Sequence, residues 1–83
     1  MNNPIQYCIF FPDGQALNGS SSRIEVRDNQ MVLSIDNNHA PLISLLENGN
    51  LTIYDTGIVS KEIPYHQGFL RFFKNTCNIS ILS

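Results

Sequence analysis

Apolar and polar residues alternate along this chain in short runs broken by turn formers, the pattern of half-buried β-strands. "IQYCIFF" opens the series and stops at "PDG", where Pro12 presets a turn and Gly14 is free to take positive φ. In "SRIEVR" Ile24 and Val26 share a face, and "DNQ" turns the chain back. "QMVLSID" puts Met31, Leu33 and Ile35 on one face. "PLISLL" and "LTIYD" flank "ENGN", whose Asn48 and Gly49 are the favoured pair for a tight hairpin, so two strands are expected there. After "DTG" comes "IVSKEIPYH", in which Pro64 cannot donate to a ladder and marks an edge strand or a break. "GFLRFF" and "CNISIL" follow, joined across "KNT". Alternation within "GFLRFFK" sets Leu70 and Phe72 towards the core and Phe69, Arg71 and Phe73 outward. No window of helical length has apolar residues at helical spacing with a cap before it and a glycine after. The pattern predicts one all-β domain over residues 1–83, an antiparallel sandwich or barrel of about seven to ten short strands.

Composition narrows the function classes. The chain has 83 residues, 42% of them apolar and 14% charged, with a net charge of −2. Arg23, Arg27, Lys61, Arg71 and Lys74 are scattered, whereas duplex binding relies on clustered cations, so nucleic acid is not an expected partner. "QGFLRFFK" has the aromatics of an RNA-binding strand but not its central Gly-Phe, and reads as a core strand. "MNNPIQYCIFFP" carries no charged leader, and no segment approaches the length of a membrane span. The expectation is a cytosolic protein with Cys8 and Cys77 reduced.

Little catalytic chemistry is legible. Cys8, His39, His66 and Cys77 share no zinc-like spacing. No nucleophile elbow and no phosphate-binding loop is present. Catalytic residues, metal and cofactors are therefore all expected to be none. "NHAP" reads as a shaped corner: Pro41 holds Ala40 extended, and Asn37 and Asn38 tolerate left-handed backbone. His39 fits a turn residue bonded to nearby backbone better than a catalyst.

"PDG" (12–14), Gly19, "NHAPLI" (38–43), "L..G.L.I" (46–53), "GFL" (68–70) and "N.C.I" (75–79) follow one another in a familiar order. This combination resembles the N-terminal β-sandwich of the epsilon subunit of bacterial and chloroplast F-type ATP synthases, called delta in mitochondria. It extends from residue 4 to about 80, nearly the whole chain. The chain differs from the family at several places. "VRDN" stands where a Pro-Gly turn is usual, and Ser34 where a glycine precedes "NHAP". Gln67 replaces the first of two glycines, Ser21 takes a usually apolar position, and Phe73 a usually polar one.

The resemblance implies a flattened antiparallel β-sandwich of about ten short strands and a non-catalytic rotor subunit at the foot of the central stalk. Its implied partners are the gamma subunit and the c-ring, with Asn38, His39, Ala40, Pro41 and Phe73 as contact residues. Membrane contact would be indirect, through the complex, at the cytoplasmic face of a bacterial inner membrane rather than in an organelle. A free-standing β-sandwich that binds another protein is the alternative reading. The family's C-terminal helical hairpin, which carries inhibition and in some members ATP binding, has no counterpart in the 83 residues. The expectation from that is a chain that couples gamma to the ring without inhibiting ATP hydrolysis and without binding ATP.

Overall fold

The computed structural model describes residues 4–29 and 31–83. Seven strands lie among them: β1 (Ile5–Phe10), β2 (Ala16–Ser21), β3 (Arg23–Asp28), β4 (Val32–Asp36), β5 (Leu42–Asp55), β6 (Ile58–Phe73) and β7 (Thr76–Ile81). They form one continuous sheet in the order β2-β1-β7-β6-β5-β3-β4.

Pairing along β5 and β6 shows how one sheet makes two layers. Leu42 to Glu47 of β5 pair with Phe72 to Gln67 of β6, and that part of β6 continues to β7, β1 and β2. Beyond the unpaired Asn48 and His66, β5 pairs with the first half of β6 and also with β3, which leads to β4. The long hairpin thus belongs to both layers. The chain crosses between them a second time at Ser22, whose N–H donates to the Tyr54 carbonyl at 2.8 Å.

The alternation read from the sequence sets the core. Ile5, Tyr7, Ile9, Ile79 and Ile81 from one layer meet Ile24, Val26, Ile35, Leu51 and Ile53 from the other in a single buried cluster. Leu70 and Phe72 are within it, at 0% and 1% exposure, while Phe69 and Phe73 face outward. Each large side chain so buried contributes about 1.5–3 kcal/mol relative to exposure. Cys77 is fully buried and Cys8 half-buried, and both are free thiols.

Three expectations are corrected. The strands number seven rather than about ten, because β5 and β6 are 14 and 16 residues long and run through positions expected to be turns or breaks. "ENGN" is no hairpin: Asn48 takes φ 52°, but the strand continues through it. A Cβ on Gly49 would overlap the Arg27 carbonyl oxygen, so the glycine lets β3 approach rather than making a turn. Third, the sheet is not wholly antiparallel, since β1 and β7 pair in parallel with Tyr7 opposite Cys77. Each is taken up on its other side by a hairpin neighbour, and their free sides meet with the chains running the same way. The tight hairpins lie at Thr56 and Gly57 (φ 51° and 83°) and at Lys74 and Asn75 (49° and 57°), positive-φ pairs that match strand twist. Pro64 pairs with Asn50 of β5 in the part of β6 that has no strand on its other side, the edge position to which its missing N–H confines it. The expected "DNQ" turn includes Gln30, which lies outside the described residues; Asp28 and Met31 on either side are joined by the Asp28 N–H donating to the Met31 carbonyl at 3.0 Å.

Candidate protein-docking surface

The corner at 37–41 is built by local bonds. The His39 N–H donates to the Asp36 carbonyl at 3.2 Å, and Asn38 takes φ 62°. Its backbone N–H donates to Asn75 Oδ1 at 2.5 Å, while Asn75 Nδ2 donates to Asn38 Oδ1 at 3.4 Å. The corner is therefore tied to the β6–β7 turn, which brings it beside Phe73.

His39 has defined contacts. Nδ1–H donates to the Ala40 carbonyl at 2.7 Å, which sets the tautomer. The ring stands edge-on to buried Phe72, with centroids 6.0 Å apart and planes at 89°. His39 is half-buried, whereas Asn38, Ala40 and Pro41 are exposed. The imidazole packs against Phe72 and braces the exposed corner.

Next to the corner lies an apolar face. Pro41, Leu42, Ile43, Arg71, Phe72 and Phe73 line a cleft of about 420 Å³. Register places Ile43 opposite Arg71 and Leu45 opposite Phe69. Ile43 is 75% exposed and Leu45 80%, while Phe69 and Phe73 are nearly half exposed. The Lys74 ammonium sits 5.4 Å from the Phe73 ring centroid, where a cation is attracted to the ring face. Four large apolar side chains around one arginine, beside a rigid polar corner, form the kind of surface that marks protein contact.

The five residues expected at a partner surface lie near one another beside the β6–β7 turn, with His39 only partly accessible. Ile43 and Leu45 were not anticipated. Alternation shows that they share a face of "PLISLL", but only the register with β6 shows that this face is outward.

Groups with catalytic potential are dispersed. Among the described residues no cluster of three or more His, Cys, Asp or Glu could hold a metal ion. His66 lies at the unpaired point of the long hairpin, with Nδ1 3.3 Å from Asn48 Oδ1. Burial pushes the Cys77 thiol up to about 12, far from a reactive thiolate. No helix among the described residues is long and apolar enough to cross a membrane.

The sequence model for the ATP synthase, Delta/Epsilon chain, beta-sandwich domain matches residues 4–83, and this chain belongs to that family. Among solved structures, it is similar to a chain in the cryo-EM structure of the Tetrahymena thermophila mitochondrial ATP synthase central stalk/c-ring. That likeness has a TM-score of 0.77 at 24% identity and covers 99% of this chain but 66% of the other. Among curated proteins, none matches the sequence.

Proposed function

We propose that this chain is a non-catalytic central-stalk subunit of an F-type ATP synthase that fastens the gamma subunit to the c-ring. The observation that carries the reading is the family match over residues 4–83. The surface supports it: Asn38, His39, Ala40 and Pro41 supply a stiff polar corner, and Phe73 with Ile43, Leu45 and Phe69 an apolar contact face. In this reading the subunit is peripheral, held at the membrane by its partners, on the cytoplasmic face of a bacterial inner membrane or its organellar equivalent. Coupling of ion flow to ATP synthesis is then mechanical, with no chemistry performed by the chain itself.

Affinity capture from membranes of the source cell tests this. Gamma and c-ring should co-purify with the tagged chain. Phe73→Asp and His39→Ala should each reduce that recovery at unchanged far-ultraviolet circular dichroism. Capture of neither subunit would overturn the proposal in favour of a free-standing binding module.

A further inference from the structure

Because β5 and β6 change layers, the sheet has four free edges among the described residues: β2, β4, the first half of β6 and residues 42–47 of β5. An unpaired edge invites a further strand unless charge, proline or shortness blunts it. β4 is five residues long and closes on Asp36. The first half of β6 carries Lys61, Glu62 and Pro64. β2 holds Asn18 and Gly19, both poor strand formers. Residues 42–46, "LISLL", have no charge, proline or glycine, and Ile43 and Leu45 stand exposed.

Every strand partner of this segment is in β6. Alternate residues of an antiparallel strand aim their N–H and C=O groups away from such a partner, so a row of backbone donors and acceptors faces outward. Outside the ladder, the described residues offer that backbone a single bond, from the Ser44 hydroxyl to the Leu45 carbonyl at 3.3 Å.

The segment is complementary to itself. Laid antiparallel on a second copy about a twofold axis at Ser44, Ile43 stands opposite Leu45 of that copy and Leu42 opposite Leu46. The two exposed pairs make one apolar strip, which continues into Phe69 opposite Leu45 in β6. Glu47 meets only Pro41, so no acid faces an acid. Moving the axis by one residue sets Glu47 against Ile43 or Pro41 against Leu45. Placing it between residues turns the second copy over and sets exposed positions against core-facing ones. A twofold pairing also closes on itself, since each copy uses its one unguarded edge.

We propose that residues 42–46 are a self-association site, where two copies of this chain pair antiparallel about Ser44 and join their first layers into one sheet. The dimer does not rest on the subunit role proposed above. Ile43 and Leu45 serve both surfaces, however, so a chain cannot be paired and docked at once.

Sedimentation equilibrium of the 83-residue chain tests it. A monomer–dimer equilibrium with Kd of about 1–100 µM is expected, as suits a small interface. Amides within 42–46 that do not bond to β6 should exchange more slowly as concentration rises. Ile43→Lys and Leu45→Glu, both at exposed positions, should each weaken self-association by about tenfold or more at unchanged circular dichroism. Mixing the two variants should restore pairing to within about threefold of the original chain, because the twofold register sets the introduced lysine opposite the introduced glutamate. A chain still monomeric at about ten times the upper end of that range, dimers that persist in either variant alone, or a mixture that fails to pair would overturn the proposal.

Discussion

Gly49 is fixed by a neighbour distant in sequence. A methyl group there would collide with the Arg27 carbonyl oxygen and stand 2.7 Å from the Tyr65 hydroxyl. Gly49→Ala should therefore lose about 1–3 kcal/mol or more in urea unfolding, although alanine suits a strand no worse than glycine elsewhere. Adjacent phenylalanines should behave oppositely. Phe72→Ala removes a ring that is 1% exposed and should cost about 3–5 kcal/mol. Phe73→Ala, at a ring 46% exposed, should stay within about 0.5 kcal/mol. Alkaline pH supplies another test. Burial raises Cys77 from 9.0 to about 12, and burial followed by the Asp28 carboxylate raises Tyr65 from 10.0 to about 12. Between those limits the unfolded chain has released protons that the folded chain still holds, so stability falls as pH rises. It should be level with respect to these groups below pH 9.0 and decline towards 12, and Cys77→Val should remove the earlier part of the decline.

At the scale of elements, what the sequence made legible depended on how local the cause was. The "PDG" turn, the Thr56 and Lys74 turns, the inward faces of β3 and β4 and those of Leu70 and Phe72 in β6 follow from neighbouring residues, and they could be read directly. Asn48 and Gly49 form the stronger local hairpin signal, yet the strand runs through them because β3 packs there. The parallel β1–β7 pair joins opposite ends of the chain, beyond the reach of any hairpin rule. The proposed docking surface divides in the same way. The corner at 38–41 was legible from Asn38 and Pro41, whereas its apolar extension over Ile43 and Leu45 required the β5–β6 register. Its stiffness also has a distant source in the Asn38 to Asn75 bonds. Asn75→Gly keeps the positive φ of that turn but deletes the acceptor. It should speed hydrogen exchange of the Asn38 amide by about tenfold or more, from loss of a bond of about 1 kcal/mol plus local loosening.

For the whole molecule, the shared β5–β6 hairpin removes any boundary along which the layers could part. Amides of Ile9 in one layer and Val26 in the other should exchange with the same opening free energy, and a wide difference would show two separately folding units. A sandwich of two independent sheets resists sliding only through side-chain contact, which is non-directional. Here each strand of the long hairpin passes bodily from one layer into the other, past the lapse in pairing at Asn48 and His66. A twist applied to the outward face of the first layer reaches the second as tension along two continuous backbones. The domain should transmit load like a folded strap rather than two plates held together by grease.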